Sequence, residues 1–143
     1  MSRIDPDTHA EIENLYRGWI RALQRREFEW FEQHLADDYT CTAHPFANFF
    51  LDKRAFIEAD KKVGVIEVEF VTILTHRIAD VVLSNLILKV IRESHTADLG
   101  EGLPTAAALT QAVTGKTVAY ASAWRFRDGR WQCYDHHLIG PIE

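Results

Sequence analysis

Thr117-Val-Ala-Tyr120-Ala-Ser122-Ala-Trp124-Arg-Phe126-Arg-Asp128-Gly129-Arg-Trp131-Gln-Cys133-Tyr-Asp135-His136-His137-Leu138 is the stretch on which the fold turns. It holds two β-branched and aromatic runs separated by Asp128-Gly129, a dipeptide suited to a two-residue hairpin turn. Such a turn places Arg127 opposite Arg130, then Phe126 opposite Trp131, Trp124 opposite Cys133, Ser122 opposite Asp135 and Tyr120 opposite His137. Strict alternation puts these last eight on one face. The other face receives Ala119, Ala121, Ala123, Arg125, Gln132, Tyr134, His136 and Leu138. The first face is aromatic near the turn and polar at its far end, which suits a partly polar cavity. The second is low and flat, and suits contact with another sheet.

Upstream, Ile66–His76 and Val81–Ile91 have the same two-residue period and add two strands. Tyr39–Ala43 reads as an early strand ended by His44-Pro45, because proline donates no ladder hydrogen bond. The N-terminal third has helical period instead. Ile12, Leu15, Tyr16, Trp19, Ile20 and Leu23 form one apolar face, with Asp5 placed to cap and Pro6 at the first turn. A second helix is expected at about 27–36 and a third at 52–62, capped by Asp52. The long connection 94–115 carries Gly100, Gly102 and Pro104, then a short helical run to Val113. It is expected to form a mobile or partner-packed arm near the pocket mouth or a dimer edge. No linker or repeat divides residues 1–143, so one α+β domain is expected.

Composition narrows the function. Of 143 residues, 47% are hydrophobic and 26% charged, an ordinary globular balance. The net charge of −5 and scattered basic residues argue against nucleic-acid binding. No apolar run spans a bilayer, and Met1–Asp7 lacks the apolar core of a signal peptide. A cytoplasmic protein without membrane partners is expected. Cys41 and Cys133 lie in apolar strands and read as buried, reduced thiols.

Three segments carry a resemblance: Tyr16-Arg-Gly-Trp19-Ile-Arg-Ala-Leu23, Phe31-Glu-Gln-His-Leu-Ala-Asp-Asp-Tyr39 and Trp124-Arg-Phe-Arg-Asp-Gly-Arg-Trp131, followed by His137. They resemble the nuclear transport factor 2-like superfamily, which includes ketosteroid isomerases, scytalone dehydratase, limonene epoxide hydrolase and polyketide cyclases of the SnoaL kind. The resemblance implies a cystatin-like α+β fold, a cone-shaped mixed or antiparallel sheet curved around N-terminal helices, with a deep internal pocket and commonly a homodimer. It does not imply one activity. The isomerases' oxyanion-hole tyrosine and aspartate align with Trp19 and Ser122, and their general-base aspartate with His44. The hydrolase's Asp–Arg–Asp cluster has no counterpart, and the dehydratase position on the first helix is about Gln24.

Within this frame the candidates for acid–base chemistry are His44, Asp135 and His137, since histidine titrates near neutrality and Asp135 and His137 share one strand face. The alternative for His137, and the favoured one, is an interior histidine satisfied by Tyr120 or a carbonyl; for His44 it is a loop histidine near the pocket mouth. Tyr16, Trp19, Phe46, Phe50, Tyr120, Ser122 and Trp124 are candidates to line the cavity, with core packing as the alternative for most of the aromatics. Metal ligation would need three or four converging donors, and none is expected; nor is a cofactor. The ligand expected is small and apolar or aromatic. The sequence leaves open an acid–base enzyme, a non-catalytic binding protein and a dimer with a filled core. The alanine face with Tyr134 and Leu138 points to a homodimer through the sheet.

Overall fold

The computed structural model describes residues 6–142. Asp5, the expected cap of the first helix, lies outside them. Helix α1 spans Pro6–Arg25 and buries Ile12, Tyr16, Trp19, Ala22 and Leu23, the apolar stripe its period demands. It stops at Arg26, which adopts φ 58° without being glycine. The arginine is held there by its own side chain, which donates to the carbonyls of Val63 (3.0 Å) and Lys61 (2.9 Å). The Glu27 amide then closes on the Ala22 carbonyl at 2.9 Å, as in a left-handed helix cap.

Helix α2 is Glu29–His34, shorter than expected, because Leu35 and Ala36 already belong to strand β1, Leu35–Ala43. Asp37-Asp38 is therefore strand. Strand β2, Phe50–Asp52, and helix α3, Lys53–Asp60, follow; Asp52 caps α3 by accepting the Ala55 amide at 2.8 Å. Long strands β3, Val63–Ile78, and β4, Val81–His95, form a hairpin. Helix α4, Ala106–Val113, is capped by Thr105, which accepts the Ala108 amide at 3.1 Å. Strands β5, Thr117–Arg127, and β6, Arg130–Ile142, close the chain.

The six strands run in the order β2-β1-β6-β5-β4-β3, antiparallel except for β1 beside β6. The sheet is mixed and open, and the helices lie on one face, as the α+β reading requires. The core between helices and sheet is aromatic. Tyr16 meets Trp124 edge-on at 5.4 Å, and Trp19 meets Phe31 and Phe56 edge-on at 5.8 and 5.7 Å. Cys41 and Cys133 are both buried and unpaired, and burial pushes the Cys41 thiol up to about 12.

The hairpin turn is as expected. Asp128 and Gly129 both have positive φ, 55° and 79°, and Arg127 faces Arg130. The register holds through Trp124 opposite Cys133 and then slips. Ala123 pairs with Asp135, so Tyr134 is an extra residue, a β-bulge. From there Ser122 faces His136 and Tyr120 faces Leu138. This corrects the expected pairing of Ser122 with Asp135 and Tyr120 with His137. One inserted residue inverts the alternation, so His136 points inward while Asp135 and His137 point outward.

A second slip lies on β4. Val68 pairs with Val90 but Glu67 pairs with Arg92, leaving Ile91 extra. The inward positions of β4 are even-numbered up to Val90; beyond the bulge the odd-numbered Glu93 and His95 turn inward.

Candidate active site

Between α1, α3, α4 and the inner face of the sheet lies a cavity of about 170 Å³. That is room for several waters or a small organic molecule. Its wall is mainly apolar, with rings from Tyr16, Trp19, Phe46, Phe49, Phe56 and Tyr120. Leu109, Ala112 and Val113 of α4 form part of it, so the connection expected near the pocket mouth contributes directly to the wall. Four titratable side chains other than tyrosine and cysteine break the apolar surface: Asp60, Glu93, His95 and His136.

Asp60 is the last residue of α3, one turn beyond the buried Phe56 and on the same face. It is only 7% exposed, and its Oδ2 has no hydrogen-bond partner among the described residues. Burial, and secondarily the neighbouring Glu93 charge, raise its carboxyl well above the usual carboxylate range. Its position at the negative end of a helix works in the same direction. These surroundings favour its protonated form.

Glu93 and His95 form a pair, with Nε2 of the imidazole 2.8 Å from Oε2 of the carboxylate and both side chains largely buried. Val63, three residues beyond Asp60, pairs with His95 across β3 and β4, which brings the end of α3 to this pair. His95 Nδ1 is buried without a partner. Tyr39 Oη is a third such atom, and burial raises its phenol well above the ordinary value. Three of the four buried polar atoms without a partner among the described residues thus belong to this end of the molecule. Native interiors rarely leave such groups unpaired, and two of the three, Asp60 and His95, stand in the cavity wall, which makes it the candidate site. With Nε2–H given to Glu93, Nδ1 is the ring nitrogen left without a partner among the described residues.

The opposite wall is satisfied internally. The Tyr16 hydroxyl lies 2.6 Å from Ser84 Oγ, and Trp124 donates Nε1–H to the same oxygen at 3.0 Å. Burial pushes the Tyr16 phenol up to about 12. Ser122 Oγ lies 2.8 Å from Nδ1 of His136, whose pKa burial lowers to about 3.

The sequence candidates divide accordingly. Tyr16, Trp19, Phe46 and Tyr120 line the cavity. Ser122 and Trp124 are buried just behind its wall, and Ser122 holds His136. Phe50 is 57% exposed on edge strand β2, and Phe49 takes the place expected for it. His44 is exposed and is not part of the wall. Asp135 and His137 face the outer side, where they bond Thr40 (3.0 Å) and Thr42 (2.7 Å) across β1 and β6. The structure therefore does not gather His44, Asp135 and His137 around one void. Asp60, Glu93, His95 and His136 were not among the candidates. Helical spacing from Phe56 could have flagged Asp60; nothing short of the two bulges could have flagged the others.

Among the described residues, no group of three or more His, Cys, Asp or Glu side chains is arranged to hold a metal ion. No helix is long and apolar enough to cross a membrane among the described residues.

No protein-family model and no curated protein sequence matches the chain. Solved structures do. An NTF2-like protein from Cytophaga hutchinsonii superposes with a TM-score of 0.72 at 16% identity, over 96% of this chain and 99% of that one. A cystatin-like-fold protein of unknown function from Nostoc punctiforme gives 0.67 at 12% identity, over 100% and 97%. An NTF2-like-family protein from Streptomyces avermitilis, provisionally described as a dehydratase, gives 0.66 at 15% identity, over 97% and 100%. The chain has the nuclear transport factor 2-like fold, with the cavity on the helix side of its curved sheet. Fold at this identity does not carry chemistry with it.

Proposed function

We propose that the protein binds a small, mostly apolar molecule in this cavity and moves protons on it by general acid–base catalysis. The observation that carries the reading is Asp60: a buried carboxyl with an unpartnered oxygen, in the same cavity wall as the Glu93–His95 pair. Asp60 gives its proton to the ligand while His95 Nδ1 accepts one, and Glu93 stabilises the imidazolium that forms. The two transfers balance, as an isomerisation or a loss of water requires. No nucleophile and no transferred group is needed.

The test is proton exchange. Small cyclic ketones and hydroxyketones in D2O are followed by proton NMR with wild-type protein, Asp60→Asn and His95→Gln. Enzyme-dependent exchange or rearrangement that falls at least about 100-fold in either variant supports the reading, in keeping with the usual size of acid–base effects. Binding without any exchange would leave the non-catalytic alternative, a protein that only holds its ligand.

The same reading includes a homodimer through the outer face of the sheet. Leu74, Ile78 and Leu83 are 57%, 56% and 48% exposed there, beside Ala121 and Ala123 of β5. An apolar surface of this kind is seldom left bare in a monomer. The two buried, unpaired thiols favour a reducing compartment such as the cytoplasm.

A further inference from the structure

The cavity holds one polar side chain that the proton transfers above do not use. His136 is 9% exposed, lines the wall, and contacts two rings: Tyr120, stacked at 5.3 Å and 13°, and Trp19, tilted by 37° at 4.8 Å. The stacked Tyr120 ring orients its plane. Ser122 fixes its edge, with Oγ 2.8 Å from Nδ1. Ser122 also lies close enough to Tyr16 to influence its phenol, but the hydrogen-bond geometry of its hydroxyl is with His136. Of the two directions this contact admits, the one in which the hydroxyl gives its proton to Nδ1 leaves the ring proton on Nε2, the edge remaining for the cavity.

We propose that His136 is the specificity residue of the site: a neutral imidazole, its tautomer set by Ser122, that donates Nε2–H to an acceptor oxygen of an uncharged ligand. The inference rests on the cavity being a ligand site and adds the class of molecule it takes. Three features support it. Burial keeps the ring neutral, so it offers a hydrogen bond without a charge. Among the described residues no lysine or arginine stands in the wall, while Asp60 and Glu93 do, so a carboxylate or phosphate would find no counter-ion there. A donor held by a stacked ring and by Ser122 is already ordered and loses little entropy when a ligand arrives. The ligand thus carries a carbonyl, ether or hydroxyl oxygen at one end, and presents its other end to Asp60 and His95.

Three probes of similar size separate the elements of the claim: acetophenone (neutral acceptor), ethylbenzene (no acceptor) and benzoate (anion). Their affinities are measured by quenching of tryptophan fluorescence and by calorimetry for wild type, His136→Phe and Ser122→Ala. Acetophenone is expected to bind wild type about tenfold more tightly than ethylbenzene, the worth of one buried hydrogen bond. Benzoate is expected to bind more weakly than either. In His136→Phe, which keeps a stacked ring, the acetophenone advantage should fall below about twofold while ethylbenzene still binds. Should that variant fail to fold, Ser122→Ala with ¹⁵N-histidine NMR decides. Wild type should show the Nε2–H tautomer from pH 5 to 8, and Ser122→Ala a mixture with a reduced acetophenone advantage. An acetophenone advantage that survives both substitutions, or an Nδ1–H tautomer in the wild type, overturns the role of His136. If neither neutral probe binds wild type, the failure lies with the cavity reading beneath it.

Discussion

Glu93 and His95 stand two residues apart on β4 and are joined at 2.8 Å on the cavity side of the sheet, where the parity of the strand alone would have sent them to the outer side. The reversal is the work of Ile91, the extra residue of the bulge. His136 reaches the cavity by the same device, through Tyr134.

The outward residues and the inward ones should separate cleanly in function. Asp135→Asn and His137→Gln are expected to change acetophenone affinity by less than about twofold, because they lose bonds only to Thr40 and Thr42. His136→Phe is expected to remove the preference for the ketone. Calorimetric titration of the three variants side by side checks this; a loss caused by His137→Gln that equals that of His136→Phe would place the site on the wrong face.

Asp60 makes stability depend on pH with a definite sign. Its folded-state pKa is raised, so its contribution is most favourable below the ordinary carboxylate pKa and is lost as pH rises toward the folded value. Asp60→Asn cannot ionise and escapes that loss. Relative to wild type, the variant should gain stability between pH 4 and pH 8, by about 1.4 kcal/mol for each unit by which the pKa is raised. Urea midpoints of both proteins at the two pH values measure the difference; a gap that moves in the wild type's favour with rising pH contradicts the assignment.

His136 acts in the opposite sense. Its folded pKa is lowered from 6.5 to about 3, so the unfolded chain takes up the proton first on acidification. Stability supplied by the neutral ring is complete above pH 6.5 and drains as pH falls toward 3, at up to about 1.4 kcal/mol per unit. His136→Phe should flatten this part of the stability profile. Thermal unfolding of the two proteins at pH 7 and pH 4.5 reads the change directly.

Assembly can be tested at Ala121. An arginine there would place a charge in the low outer face beside Asn85. Light scattering should give about twice 16.5 kDa for wild type and about 16.5 kDa for Ala121→Arg. A wild type of monomeric mass at micromolar concentration rules the dimer out.

Much of the architecture was legible because it is written in periods. The α1 stripe from Ile12 to Leu23, the Asp128-Gly129 turn and the Asp52 cap each follow from local chemistry that tertiary packing did not override. The cavity was legible in outline for the same reason, since Tyr16, Trp19 and Tyr120 lie on faces that local period determines. The chemistry was not. A bulge inserts one residue without a sequence signal comparable to a glycine turn, and Tyr134 and Ile91 look like any other strand residues. Each inverts everything beyond it, so Asp135 and His137 were expected inside and His136 outside. Asp60 escaped notice for a different reason: an aspartate at a helix end looks solvated until the sheet closes over it.

The claim at the centre of the account is that Asp60 is a protonated acid facing the ligand. It is read most directly by a ¹³C NMR titration of the Asp60 side-chain carboxyl, assigned with Asp60→Asn, with and without acetophenone. The account predicts a midpoint well above the ordinary aspartate range that shifts further when the ketone binds. A midpoint in the ordinary range, unmoved by the ketone, would contradict it.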